Sequence, residues 1–245
     1  MNNSLIIIPT YNEIENIESI IQKTFSVSSQ CHVLVVDDGS PDGTAQAVKK
    51  LQKESFPNRL HLIERKGKLG LGTAYIKGFQ YAIEKGFEYV IEMDADFSHN
   101  PLDLPKLYTE CAINGSDVAI GSRYKNGVNV VNWPMGRVIM SYYASKYVRI
   151  VTGMELNDAT AGFVCYRTEV LKSINLDKIK FIGYAFQIEM KFAAWKKGFK
   201  ISEVPIIFTD RTRGESKMSY KIFKEAFFGV LEMRIKAFFK HPSTY

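Results

Sequence analysis

The sequence predicts an α/β protein whose central sheet is mostly parallel and covered by helices. Three observations carry that expectation. Short β-like apolar runs alternate with longer amphipathic stretches through the first half of the chain, the rhythm of successive βα units. The 245 residues suffice to bury a sizeable core, and 46% hydrophobic with 24% charged residues is an ordinary globular proportion. No Ser- or Pro-rich linker and no internal repeat divides the chain, so one domain with a peripheral C-terminal helical part is the economical organisation.

The elements follow in order. The four-residue run LIII is the first strand; it lacks a basic lead and ends at Pro9, so it is neither a signal peptide nor a membrane span. Residues 13–25 bring Ile14, Ile17, Ile20, Ile21 and Phe25 to one helical stripe. HVLVVDD is a second strand, and in the GSPDGT that follows Asp42, Gly43 and Thr44 form a turn and a helix cap. RLHLIER is a third strand, and residues 70–86 form a third helix with Leu71, Ala74, Tyr75, Phe79 and Ala82 on its buried side. YVIEMDAD is a fourth strand ending in carboxylates, PLDLPKLYTECA a helix and DVAIGSRY another strand end. The polar KNGVNVVNWP has the Gly and Asn content of a mobile loop, suited to a lid.

A helix is expected from Met135 to about residue 151, then a loop and a short strand in GMELNDATAGFVCYR, helical YAFQIEMKFAAWKK, the β-like KISEVPIIF and the basic loop TDRTRGESK. Residues 220–239 have helical periodicity with Lys221, Lys224, Arg234 and Lys236 among phenylalanines and aliphatics. That segment is too charged to span a bilayer. Two placements suit it equally: at a bilayer interface with cations toward acidic head groups, or packed on the sheet as a terminal helix.

Composition narrows the function. Lys plus Arg total 32 and Asp plus Glu 26, a net charge of +6, which favours anionic partners. Nucleic acid is disfavoured, because the excess is modest and there is no zinc finger, RRM aromatic pair or continuous basic-aromatic stripe. Cys31, Cys111 and Cys165 are widely spaced and suit apolar surroundings in a reducing compartment; His32, His61, His99 and His241 never fall at zinc-ligand spacing. The GKLGLG segment lacks both the phosphate-loop and the full dinucleotide signature, and no Ser-His-Asp or Cys-His arrangement is suggested.

In open α/β sheets ligands bind outside the carboxyl ends of the strands, where Pro9 to Glu13, Asp37 to Gly39 and Asp94 to Asp96 are expected. Asp94 and Asp96, separated by one small residue, can approach one hard cation such as Mg²⁺ or Mn²⁺, which would neutralise a diphosphate leaving group. Asp37 or Asp38 can accept hydrogen bonds from a base or ribose, while Gly39 permits close backbone approach. Arg123, Arg137, Arg211, Arg213 and Lys217 supply cations suited to phosphate oxygens at two separate places. Trp133 is either a loop anchor or a contact for an apolar substrate, and Trp195 is core.

IIIPTYNEIENI, VVDDGSPDGT, GLGTAYIKGF, EMDADFSH, DVAIGSRY, the helix from Arg137 to Ser145, DATAGF and RTRGESKM, in that order, resemble the family 2 glycosyltransferases of the GT-A fold. More narrowly they resemble the polyprenol monophosphomannose synthases, over nearly the whole chain. The resemblance implies a catalytic domain over residues 1–217 and a C-terminal amphipathic helix over 218–245. It implies that Pro9, Tyr11, Glu13 and Asp37 line the donor nucleotide site, and that Asp94 and Asp96 hold the metal with Ser98 where relatives can use a Gln. Asp96 would then also orient the sugar. Arg213 and Lys217 would close over the phosphates on a mobile loop, and Arg123 and Arg137 would receive the acceptor lipid phosphate. The implied reaction is inverting transfer of mannose from GDP-mannose to a polyprenyl phosphate, at the cytoplasmic face of a membrane to which the protein is peripherally attached, with an integral-membrane partner left open. The nearest alternative is glucose or another sugar from a UDP- or GDP-sugar to a polyprenyl phosphate or glycan. For a hydroxyl acceptor, Glu189 or Asp158 would be the carboxylate base. A lipid- or nucleotide-binding module without catalysis is the rival of a different class.

Overall fold

A computed structural model of the chain describes residues 1–183, 185–210 and 227–235. Among these, β1 (Ser4–Thr10), β2 (His32–Asp37), β3 (Leu60–Glu64), β4 (Tyr89–Glu92) and β5 (Val118–Ser122) appear in chain order, with a short β6 (Val130–Val131) and then β7 (Val164–Arg167), β8 (Ile201–Pro205) and β9 (Phe208–Thr209). Seven of them form one sheet in the spatial order β3-β2-β1-β4-β7-β5-β8. β7 is antiparallel to both its neighbours, and every other pair in that sheet is parallel. The helices are α1 (Ile17–Val27), α2 (Thr44–Glu54), α3 (Leu71–Lys85), α4 (Leu104–Ala112), α5 (Met135–Thr152), α6 (Thr168–Ser173) and α7 (Ala185–Lys196).

The apolar runs are continuous because both faces of the sheet are covered. Successive side chains of a strand point to opposite faces, so Leu5 and Ile7 join the core formed with α3 and α7, while Ile6 and Ile8 join the one formed with α1, α2 and α4. Ala74, Tyr75, Phe79 and Ala82 of α3 are all buried, whereas Leu71, expected with them, is 37% exposed at the first turn. Gly78 lets α3 approach the sheet closely: a Cβ there would lie 2.6 Å from Ile7 Cδ1. The three cysteines are free and buried, as the sequence suggests.

Several expectations change. α1 begins at Ile17 rather than Glu13, because Asn12 adopts a left-handed conformation (φ 57°) and residues 13–16 form a turn, with the Asn16 and Ile17 N–H groups donating to the Glu13 carbonyl. The 125–134 segment is not a free lid. Its Val130 and Val131 pair in parallel with Phe208 and Thr209, and the Asn129 N–H donates to the Arg123 carbonyl at 2.8 Å. The partner strand lies far along the sequence, so nothing local announces the pairing. α6, directly after β7, was not anticipated either.

Residues 227–235 are helical and divide the two placements between their faces. Val230 and Met233 are buried in the core, while Phe228, Leu231 and Ile235 are exposed. The remainder of the tail, and hence the division at residues 217 and 218, lies outside the described residues.

A Gly78→Val variant should be destabilised by about 1–3 kcal/mol through overpacking against Ile7. The check is the midpoint of urea unfolding, which should fall with the slope of the transition unchanged.

Candidate active site

The parallel strands all exit on one edge of the sheet, and the reversed β7 enters there. The turn at 157–161 is thereby delivered beside residues that leave β4 and β5. This reversal brings together groups from the two halves of the chain.

On one side, the loops after β1 and β2 are laced together. The N–H groups of Asn12, Glu13 and Ile14 donate to Ser40 Oγ, Thr44 Oγ1 and Asp42 Oδ2 at 2.9, 3.0 and 3.1 Å. Asp42 also accepts from the Thr44 backbone and hydroxyl, the capping role expected of it. Asp37, 1% exposed, accepts from Thr10 Oγ1 at 2.8 Å and from the Ser40 backbone and hydroxyl at 2.9 and 2.6 Å. Asp38 pairs with Arg65, whose guanidinium also reaches Thr73 Oγ1 at 2.7 Å. The Lys68 ammonium stands 5.1 Å from the Tyr11 ring centre. Pro9, Tyr11, Glu13 and Asp37 therefore share one laced rim, with Gly39 (φ 69°) packed against the Arg65 and Gly67 backbone.

At the centre stands the carboxylate pair. The Asp94 side chain is 40% exposed, and Tyr75 OH approaches it at 3.5 Å. Asp96 is buried and its Oδ1 accepts from the Ser98 N–H at 3.1 Å, which closes a tight turn with Phe97 at φ 62°. His99 Nδ1 accepts the Asp94 N–H at 3.1 Å, so the proton of the neutral ring resides on Nε2. Burial drives the His99 pKa down to about 4, and its ring stacks on Phe163 at 4.8 Å.

Among the described residues no three His, Cys, Asp or Glu side chains cluster as a metal cage. Two hard carboxylates on a strand end do fit an Mg²⁺ or Mn²⁺ ion that completes its shell with water and substrate phosphate oxygens. Asp94 and Asp96 would hold it; Ser98 meets this pair through its N–H, which donates to Asp96.

The other side is cationic and aromatic. Arg123 is 7% exposed and grips Asp158 with its Nε and Nη2 at 2.7 and 2.6 Å, while Asp158 also accepts the Arg123 N–H at 2.9 Å. Thr160 Oγ1 accepts from the same Nη2 at 2.7 Å. Burial alone would raise the Asp158 pKa, but the Arg123 charge and hydrogen bonds outweigh it and hold the carboxyl below its ordinary value. Arg137 Nη1 donates to both Asp210 oxygens at 2.9 Å, and its guanidinium lies 4.1 Å from the Trp133 ring centre. Arg123 faces the same ring at 5.5 Å, and Phe208 meets Trp133 edge-on. Trp133 thus contacts both guanidinium groups.

The structure therefore brings the donor-rim residues, Asp94, Asp96 and Ser98, and Arg123 and Arg137 to one edge of the sheet. Arg213 and Lys217 lie outside the described residues. Two groups escape sequence reasoning in the roles they take: Asp158 is the arginine's counter-ion rather than a base, and His99 is a support, whereas Trp133 takes the loop-anchor place expected of it. The spacing of Asp158 and Thr160 in DATAG, one residue apart, is the only local signal of a shared partner.

Removing the Asp158 charge leaves a buried guanidinium uncompensated, which costs about 3–5 kcal/mol. Asp158→Asn should lower the urea midpoint at pH 7, and combining it with Arg123→Met should recover most of the loss.

Comparison with known proteins identifies the family and the fold. Residues 5–174 match the family described as Glycosyl transferase family 2. A polyprenol monophosphomannose synthase of Mycolicibacterium smegmatis is 45% identical over 233 residues, covering 95% of this chain and 87% of that protein. An undecaprenyl-phosphate mannosyltransferase of Micrococcus luteus is 44% identical, covering 95% of this chain and 94% of its own length. Among solved structures, a glucosyl-3-phosphoglycerate synthase from Mycobacterium tuberculosis, crystallised with Mn²⁺, UDP and glucosyl-3-phosphoglycerate, superposes with a TM-score of 0.65 at 18% identity, over 94% of this chain and 79% of that one, a likeness of fold. The chain belongs to glycosyl transferase family 2 and has its GT-A fold.

Proposed function

We propose that this enzyme transfers mannose from GDP-mannose to a polyprenyl phosphate, with inversion at the anomeric carbon. The observation that carries the reading is the meeting, on one sheet edge, of the Asp94 and Asp96 carboxylates with the paired Arg123 and Arg137 on Trp133. The 44–45% identical relatives, whose names specify a mannosyl transfer and a polyprenyl-type acceptor, support the sugar and the lipid class.

The rim of Pro9, Tyr11, Glu13 and Asp37 takes the donor nucleotide, and Asp94 and Asp96, with Ser98 beside them, take the divalent cation. Bound there, that cation neutralises the departing diphosphate. Arg213 and Lys217 add charge to the same group. Arg137 receives the acceptor phosphate, with the Arg123 guanidinium adjoining it, and Asp96 orients the sugar for attack from the face opposite the nucleotide. A phosphate monoester, with a second pKa of about 6, is already ionised at neutral pH and needs no strong base. The carboxylates that a hydroxyl acceptor would require are engaged elsewhere: Asp158 by Arg123, and Glu189 by the backbone N–H groups of Lys180 and Phe181 at 2.9 and 3.0 Å. Alignment and charge then supply the rate.

The acceptor is a membrane lipid, and the exposed surface suits an interface. Met135, Ile139, Tyr143 and Ile150 recur along one side of α5 and are exposed. Tyr147 of the same helix stacks on Phe227 at 4.5 Å, which joins this stripe to the exposed Phe228, Leu231 and Ile235. Among the described residues no helix is long and apolar enough to cross a membrane. The exposed apolar stripe supports peripheral attachment to a membrane, here proposed to be at its cytoplasmic face.

Radiolabelled GDP-mannose and UDP-glucose, each supplied with a short polyprenyl phosphate, test the assignment. Lipid-linked mannose from GDP-mannose alone is expected; product from UDP-glucose alone would replace the donor. EDTA and Asp96→Ala should each abolish turnover, with activity restored to the chelated wild type by Mn²⁺ or Mg²⁺. Arg137→Met should lower kcat/KM for the lipid about tenfold or more while leaving the donor KM within about twofold.

A further inference from the structure

Lys191, on α7, has no exposed surface. Its Nζ donates to the Ala161 carbonyl at 2.6 Å, to the Gln187 carbonyl at 3.1 Å and to Gln187 Oε1 at 3.4 Å. All three ammonium protons are thereby used, and by neutral oxygens. An apolar side chain would fill the same volume without the several kcal/mol that burial of an ammonium costs. Apolar packing therefore gives no reason for a lysine here, and its charge is set against the buried Glu92.

The acceptor side does give one. Ala161 closes the turn that begins at Asp158, whose carbonyl accepts the Ala161 N–H at 3.4 Å. The start of that turn is held from β8, where the Glu203 carboxylate accepts the Asn157 and Asp158 N–H groups at 3.0 and 2.8 Å. Between these two grips stand Asp158 and Thr160, the residues that hold the Arg123 guanidinium. Lys191 also interacts with Asp158 and Glu92 through space. Glu92 is fully buried on β4, the strand that leads into Asp94. The Glu92 carboxyl lies buried beside the Gln187 side chain, and the nearby Tyr166 OH has no hydrogen-bond partner. Burial pushes the Glu92 carboxyl up to about 8 against the opposing charge of Lys191. This polar layer lies beneath both halves of the site.

We propose that Lys191 is a positioning residue for glycosyl transfer: by clamping the Ala161 carbonyl it fixes the 157–161 turn, and through Asp158 and Thr160 it sets the Arg123 guanidinium on the acceptor side. The role rests on the mannosyl-transfer reading for its kinetic consequence, while its structural consequence is independent of any substrate.

Lys191→Met removes the clamp and keeps the chain length. Its kcat should fall about tenfold or more with the donor KM within about twofold. In an Arg123→Lys background the further loss on adding Lys191→Met should be small, because both changes disturb one guanidinium; losses that multiply would overturn the proposal. The second readout is the emission of Trp133 in a Trp195→Phe background, since the two guanidinium groups lie on that indole. Lys191→Met should shift it without ligand, and an unshifted spectrum would also overturn the proposal. Should Lys191→Met fail to fold, the neutral pair Lys191→Met with Glu92→Met takes its place. Wild-type kcat in that folded double variant, or failure of both variants to fold, would assign Lys191 to stability alone. If the wild type forms no lipid-linked mannose but Lys191→Met still shifts Trp133, the substrate reading fails and the clamp stands.

Discussion

The buried Asp158 carboxylate is the interaction on which the Arg123 side of the site depends. It accepts three hydrogen bonds from Arg123, one of them from the backbone that leaves β5. A carboxylate with no exposed surface is expensive to desolvate, and the pair is tolerated because its geometry is bidentate and its remaining oxygen capacity is filled by Thr160. Glu203 extends the same network: it binds the backbone at 157 and 158 and the Ser122 hydroxyl at 2.9 Å, so β5, β8 and the turn before β7 meet at one point. Arg123 emerges fixed in direction, its guanidinium held by Asp158 and Thr160.

The two halves of the site are held by different means. The donor rim uses backbone N–H groups of the β1 loop bonded to hydroxyls and carboxylates of the β2 loop. These bonds satisfy donors that would otherwise be left bare where a strand ends, and the buried Asp38–Arg65 pair braces the same edge. The acceptor side uses charge and aromatic faces, with Trp133 and Phe208 enclosing arginines that the carboxylates of Asp158 and Asp210 neutralise. Between them the Asp94 side chain stays 40% exposed to solvent.

Much of this was legible in the residues. The run LIII, the buried face of α3 from Ala74 to Ala82 and the Asp42–Thr44 cap follow from local periodicity and local hydrogen bonding, and each occurs where expected. The carboxylates of Asp37, Asp94 and Asp96 were placed at strand ends because parallel βα units put loops there. The polar segment at 125–134 was misread, since a strand of two residues has almost no periodicity of its own and its partner is β9.

By itself, the sequence determined the alternation of buried strands and amphipathic helices, the carboxylate pair and the cations, because these are properties of neighbouring residues. Only the tertiary structure decided that β7 runs against its neighbours and that Asp158, Asp210 and Lys191 meet Arg123, Arg137 and Ala161. The physical reason is range: a hydrogen bond between residues 35 or 73 apart depends on where the whole sheet carries them, and residue type alone does not encode that distance.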